Sequence, residues 1–215
     1  VIVDDRMKAY INSLDSGNTP LLDRIEEEAL EEFIPIIRKE TQNLLKVLLK
    51  IKQPLNILEV GTAIGFSAIL MGEYSSKACK ITTIEKYHKR IPIAKANFIR
   101  ANMQDKIKLL EGDALEIMSS LNEQYDFIFM DAAKAQYINF LPQIRRLLID
   151  DGVLISDNVM QDGDIVESRY AVIRRNRTIH SRMRDYLYEL THARDFITTV
   201  LPIGDGVTIS VFKRK

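Results

Sequence analysis

Two acids and an amide lie where strand-like runs stop. Asp131 follows Phe127–Met130, and Asp157 and Asn158 sit within Ile155-Ser156-Asp157-Asn158-Val159. Two carboxylates and an amide oxygen make a hard donor set suited to Mg²⁺, with water or a substrate oxygen completing the coordination. Carboxylates gathered away from water repel each other, so such a set calls for a cation. The alternative is that Asp157-Asn158 caps the following loop. Lys134, shortly after Asp131, can reach the same cavity. Beside a divalent cation its ammonium form is disfavoured, which suits a general base; otherwise it is a surface lysine at a helix start. Lys134 and Asp131 are the catalytic candidates, and Asp131, Asp157 and Asn158 the metal candidates.

Other strand ends carry polar or glycine positions too: Glu59, Gly61, Glu85 and Asp113. In open parallel sheets, ligands bind beyond the carboxyl ends of the strands. Gly61-Thr62-Ala63-Ile64-Gly65 opens a helix after the first strand. Gly61 would let a ligand approach the backbone, and Gly65 would let the helix start tightly. The spacing is not that of a dinucleotide loop, since Ala63 and Phe66 occupy two of its glycine positions; a plain tight turn is the alternative. Glu85, ending the second strand, is placed to accept hydrogen bonds from ribose hydroxyls, or else is a solvated acid. Asp113 and Ala114 would border an adenine ring. Together these positions specify an adenosyl ligand.

The elements that must position these groups follow from the apolar rhythm. Ile57–Val60, Ile81–Ile84, Ile107–Leu110, Phe127–Met130 and Val153–Ile155 read as strands. Ser67–Tyr74, Ile91–Ala101, Ala114–Leu121 and Tyr137–Leu148 read as the helices between them. Such alternation predicts an α/β fold, a parallel sheet with helices on both faces and right-handed crossovers. Ile165–Leu190 reads as one long polar helix. Phe196–Leu201 and Val207–Phe212, joined by Pro202-Ile203-Gly204-Asp205-Gly206, read as an antiparallel hairpin. The first fifty or so residues are helical in pattern: Thr19-Pro20 starts a helix, Pro35 interrupts, and Leu44, Leu45, Val47, Leu48 and Leu49 form a further apolar stripe. Residues 1–215 are expected to form a single domain, with 1–53 its helical part and 54–215 its sheet core.

Lys plus Arg and Asp plus Glu both number 30, giving no net charge. That balance argues against coating nucleic acid by charge alone, though not against a local basic patch. The single cysteine, Cys79, precludes a disulfide within the chain and reads as a buried structural residue in a reducing cytosol. Val1–Tyr10 carries no apolar leader core, and no apolar run approaches a membrane span, so a cytoplasmic protein without membrane association is expected. His88, His180 and His192 lack metal-ligand spacing and read as surface residues. No nucleophile elbow is present.

Ile57–Ser67, Ile84-Glu85, Gly112–Ala114, Phe129–Lys134 and Ser156–Val159 resemble the metal-dependent class I O-methyltransferases, which include the catechol and caffeoyl-coenzyme A enzymes. The likeness runs from about Pro35 to the C-terminus. More narrowly, Asp131–Tyr137, Asp157–Met160 and Pro202–Gly206 resemble the bacterial tRNA 5-hydroxyuridine O-methyltransferases, which make 5-methoxyuridine at the wobble position. The resemblance implies a Rossmann-like, seven-stranded, mostly parallel sheet ending in an antiparallel hairpin, and a homodimer. It implies S-adenosylmethionine as cofactor, with Ile37, Ser67, Asp113 and Ala114 joining Glu59, Gly61 and Glu85 in binding it. Asp131 would lie close to both cofactor and metal.

The acceptor is then either tRNA or a small catechol-like or phenolic molecule. Arg169, Arg174, Arg175, Arg177, Arg182, Arg184 and Arg194 fall in one lysine-free stretch, interleaved with Tyr170, Tyr186 and Tyr188. The arginine fork suits phosphate, so Arg174, Arg175, Arg177 and Arg182 are candidates to hold the anticodon arm. A solvated helix face is the alternative. A regulator that binds an adenosyl ligand without chemistry is also conceivable, but intact Asp131, Lys134, Asp157 and Asn158 argue against it.

Overall fold

β-Branched and aromatic residues fill a pleated surface well, and runs of them buried on both faces make parallel strands. In the computed structural model, which describes residues 4–214, the apolar runs are β1 (Asn56–Val60), β2 (Lys80–Glu85), β3 (Ile107–Glu111), β4 (Tyr125–Met130), β5 (Leu148–Ser156), β6 (Phe196–Leu201) and β7 (Val207–Phe212). They form one sheet in the order β3-β2-β1-β4-β5-β7-β6. β3, β2, β1, β4 and β5 are parallel neighbours. β7 runs antiparallel to both β5 and β6, so the C-terminal hairpin is present as expected. The start of the Val1–Tyr10 stretch and Lys215 lie outside the described residues.

Side chains alternate between two cores. Ile57, Phe127 and Phe129 face one, with Leu22 and Ile25 of α2 (Pro20–Glu31), Leu45 and Leu49 of α3 (Lys39–Lys52), Phe66–Met71 of α4 (Phe66–Tyr74) and Phe98 of α5 (Ile91–Arg100). Leu58, Val60, Ile128 and Met130 face the other. That side is closed by Met118 of α6 (Ala114–Ser120), Phe140, Leu141 and Ile144 of α7 (Tyr137–Leu147), and Met183, Tyr186 and Leu190 of α8 (Arg177–His192). α1 (Asp5–Ser13) is capped by the Asp4 carboxylate and buries none of its residues. Pro20 sits at the first turn of α2, but the Thr19 hydroxyl bonds Glu73 instead of capping the helix. Cys79 is buried.

Three expectations are corrected. The Ile165–Leu190 helix starts only at Arg177. Before it come a 3₁₀ segment, Gln161–Val166, in which Asp162 and Gly163 are left-handed, and a loop ending in the 3₁₀ turn Arg174–Asn176. Inside the expected span, Glu167 (φ −73°, ψ 161°) and Ile173 (φ −51°, ψ 133°) leave helical geometry, while buried Ile165 and Val172 imitate its spacing. β5 begins at Leu148, earlier than its apolar run, with an irregular register against Tyr125 and Phe127. His180 is 2% exposed, not superficial; its Nε2 lies 3.1 Å from the Glu167 carbonyl. Among the described residues no helix is long and apolar enough to cross a membrane.

Candidate functional site

Strand order reverses between β1 and β4, which opens a crevice beyond their carboxyl ends. There the structure holds a cavity of ≈ 510 Å³. Ile37, Gly61, Ser67, Glu85, Asp113 and Ala114 line one part of it; Asp131, Lys134, Asp157 and Asn158 line another. Of the residues proposed from sequence for cofactor and metal, only Glu59 is absent from its wall.

Glu59 is fully buried. It shares the Ile57 face of β1, the face covered by α4, and accepts hydrogen bonds from the Ser67 and Thr83 hydroxyls. It therefore braces Ser67 from behind instead of facing the cavity. Burial pushes its carboxyl up to about 7, against the opposing effect of the hydrogen bonds from Ser67 and Thr83. Gly61, which lines the cavity, also has a second reason to be glycine. Its φ is 95°, and a Cβ there would lie 2.3 Å from the Asp131 carbonyl oxygen. The close approach is of the β1 and β4 ends, held by Asp131 N–H to Val60 O at 3.0 Å, while Gly61 N–H to Ile84 O, also 3.0 Å, ties the β1 end to β2.

Glu85 is half-buried at the end of β2. Its carboxylate accepts from the backbone N–H of Ala63 at 2.9 Å, Lys86 at 2.9 Å and Tyr87 at 2.8 Å. These bonds fix the carboxylate on the cavity wall and tie the glycine loop to the β2 end. Asp113 caps α6 by accepting from Leu115 N–H at 2.9 Å.

On the other side, the Asn158 side-chain amide donates to Asp131 Oδ1 at 2.8 Å. Asn158 holds this position with φ 60°, a left-handed conformation asparagine tolerates. Asp157 is 2% exposed and accepts from the Asn158 N–H at 2.8 Å. Burial, reinforced by the charge of Asp131, pushes Asp157 up to about 7. Burial also raises Asp131, against the Asn158 bond and the charge of Lys134. Among the described residues no group of three His, Cys, Asp or Glu side chains is placed to hold a metal; the candidate set is two carboxylates with an amide.

Lys134 begins a 3₁₀ turn, Lys134–Gln136. Its Nζ donates to Asp205 Oδ2 at 2.7 Å. Asp205, in the turn between β6 and β7, escaped the sequence reading of the site, as did Arg38. The signal for Asp205 was an acid between two glycines in a hairpin turn. Arg38 lies on the cavity wall, donating to Gly204 O at 3.1 Å and Asp162 Oδ1 at 3.0 Å; only its place near Pro35 and Ile37 marked it.

The arginine stretch divides. Arg174 and Arg175 are exposed, and neither makes a side-chain hydrogen bond or ion pair among the described residues. Arg177 donates to Val172 O and Tyr170 O, Arg182 to Ala135 O, and Arg184 to Ile165 O. These three hold loop carbonyls, and Arg182 joins α8 to the turn that carries Lys134.

Comparison with known proteins agrees with this geometry. The family model described as O-methyltransferase matches residues 12–213. A catechol O-methyltransferase of Niastella koreensis is 28% identical over 76% of this chain and 70% of its own. A caffeoyl-CoA O-methyltransferase of Medicago sativa is 28% identical over 86% of this chain and 81% of its own. A solved structure from Staphylococcus aureus, provisionally named a caffeoyl-CoA O-methyltransferase, superposes with a TM-score of 0.89 at 32% identity, covering 97% of this chain and 100% of that one.

Proposed function

Because the chain belongs to the O-methyltransferase family, whose chemistry is methyl transfer from S-adenosylmethionine, we propose that its acceptor is the 5-hydroxyl of 5-hydroxyuridine at the tRNA wobble position, giving 5-methoxyuridine. The observation that carries the tRNA reading is the placement of the arginine loop. Arg174 and Arg175 stand exposed just before α8, and Arg182 of α8 bonds Ala135, next to Lys134 of the cavity. In this reading these arginines form a phosphate-binding edge beside the cavity, and a wobble base, in a single-stranded loop, can be splayed into a pocket. Arg177 and Arg182, proposed from sequence as phosphate contacts, shape that edge through the carbonyls they hold.

The residues present fit the cofactor. The cavity is of ligand size, and with three of about four lone-pair sites on the Glu85 carboxylate taken by backbone N–H groups, one on Oε2 is left for a ribose hydroxyl. Asp113 and Ala114, at the end of the adjacent strand β3, line the same cavity for the base, with Ile37 as apolar cover. They also fit a divalent cation: Asp131 and Asp157 repel one another, and the Asn158 amide, turned over about its last bond, offers oxygen instead of nitrogen. S-adenosylmethionine supplies an electrophilic methyl, and a cation such as Mg²⁺ held by Asp131, Asp157 and Asn158 favours the ionised acceptor hydroxyl.

The chain's own residues align and exclude. Ser67, braced by Glu59, and Gly61 define the floor on which the cofactor lies. In this reading Lys134, its Nζ donating to Asp205, also donates to the acceptor oxygen, a role set beside the general-base role expected from sequence. As the acceptor oxygen bonds to the methyl carbon, the carbon–sulfur bond breaks and its electron pair stays on sulfur; the hydroxyl proton leaves to water through the cavity mouth. Positioning carries much of the rate. A cytoplasmic homodimer belongs to the same reading; exposed Leu30, Phe33 and Ile51 support self-association, which light scattering on the purified chain would read.

The test is transfer of labelled methyl to tRNA from cells lacking the protein, with catechol as a parallel acceptor and EDTA as control. Conversion of 5-hydroxyuridine to 5-methoxyuridine, lost on chelation, is expected. Methylated catechol with unchanged tRNA would instead support a small phenolic acceptor, the reading favoured by the named activities of the relatives.

A further inference from the structure

Asp205 is 2% exposed and lies 71 residues from Lys134 in the chain, yet its Oδ2 accepts from Lys134 Nζ at 2.7 Å. Its other oxygen accepts the backbone N–H of Asp162. The same turn makes two backbone bonds to the segment after Asn158: Val159 N–H to Gly206 O at 3.0 Å and Met160 N–H to Asp205 O at 2.8 Å. Gly206 permits this contact, for a Cβ there would lie 2.3 Å from Met160 Cγ. A buried carboxylate needs partners for its lone pairs and charge. Here they come from two different parts of the site. A lysine side chain at a cavity wall otherwise samples many rotamers. Anchoring its end on a buried acid removes that freedom.

We propose that Asp205 is a positioning residue for methyl transfer, holding Lys134 Nζ at the cavity wall and locking to it the loop that carries Asp157 and Asn158. The carboxylate touches neither cofactor nor acceptor; it acts through Lys134 and the loop. The proposal rests on the methyl-transfer reading but not on which acceptor is used.

The experiment is a double-mutant cycle in the full chain with Asp205→Asn, Lys134→Met and the pair together. Turnover is measured with labelled S-adenosylmethionine on both tRNA and catechol, and S-adenosylhomocysteine affinity by calorimetry. Asp205→Asn keeps an acceptor for the Asp162 N–H but loses the charge facing Lys134. Its kcat is expected to fall at least tenfold with the S-adenosylhomocysteine Kd within twofold, and the double variant to be no slower than Lys134→Met. Unchanged kcat in Asp205→Asn, or losses that multiply in the double variant, would overturn the proposal. If Asp205→Asn does not fold, Asp205→Glu, which keeps the charge but displaces it, reads the same contact: a tenfold loss of kcat at unchanged Kd supports the proposal, and wild-type kcat refutes it. If the wild type methylates neither acceptor, the functional reading fails separately. Hydrogen exchange at the Met160 and Asp162 amides then decides: protection must fall in Asp205→Ala, and unchanged protection refutes the lock.

Discussion

The Asn158 amide donates to Asp131 Oδ1 at 2.8 Å although the two residues follow different strands, β5 and β4. This contact joins two members of the donor set, and Asp157 lines the same cavity. Binding of a cation to the folded state alone raises stability, by about 2.7 kcal/mol at a hundred times its Kd. Mg²⁺ or Mn²⁺ is therefore expected to raise the Tm of the purified chain, and Asp157→Asn to abolish the rise. Since Asp157 is pushed up to about 7, a cation must displace a proton below that pH, so the rise should shrink between pH 8 and pH 6. A Tm indifferent to either ion would count against the metal site.

Glu85 is expected to carry much of the cofactor affinity. Loss of hydrogen bonds to a charged group costs about 1.5–3 kcal/mol, so Glu85→Ala should weaken S-adenosylhomocysteine binding by one to two orders of magnitude. Because its carboxylate also accepts from Ala63, Lys86 and Tyr87 N–H, part of that loss will come from a loosened loop. Glu85→Gln keeps one carbonyl oxygen and should lose less. Equal affinity of all three proteins by calorimetry would remove Glu85 from the ribose site.

Strand ends were legible because apolar runs in a parallel sheet are short, buried and terminated at the ligand-binding edge. That placed Asp131, Asp157, Glu85 and Gly61 at one cavity without knowledge of strand order. Glu59 misled because alternation along β1 turns it toward α4, a consequence of face rather than of position near the strand end. Asp205 was illegible in its role because its partner, Lys134, is 71 residues away, and only the docking of the hairpin against β5 brings them together. The loop before α8 looked helical because Ile165 and Val172 are buried a heptad apart, while the non-helical backbone at Glu167 and Ile173 is determined by its tertiary setting.

Glu59 predicts a pH dependence of stability whose sign is set by burial. Its folded value, about 7, lies above the ordinary carboxyl value of 4.5. The folded state therefore keeps a proton that the unfolded chain releases, and stability contributed at low pH is lost as pH rises from about 4.5 through about 7. The full change is at most about 3 kcal/mol. Asp157 acts with the same sign in metal-free protein. Glu59→Gln, which still bonds Ser67 and Thr83, should thus show a smaller fall in urea-unfolding free energy between pH 5 and pH 8, measured without divalent ions. An identical fall in both proteins would show that Glu59 is ionised in the fold.

The arginines should separate into two kinds by their salt dependence. Arg174 and Arg175 are exposed and hold no protein carbonyl, so replacing both by Ala should raise the tRNA KM without lowering Tm. Each phosphate contact to a single strand contributes about 0.7 to the slope of log affinity against log salt, so the double variant should flatten that slope by about 1.4. Arg177 and Arg184 hold the Tyr170, Val172 and Ile165 carbonyls. Their replacement should loosen the loop, seen as faster proteolysis between Ile165 and Asn176, and raise KM with little change in slope. Binding of S-adenosylhomocysteine should be unaffected throughout, because none of these side chains lines the cavity. A salt slope unchanged in the Arg174–Arg175 double variant would mean that these side chains do not meet phosphate, and the nucleic-acid edge would have to be sought elsewhere or abandoned for a small acceptor.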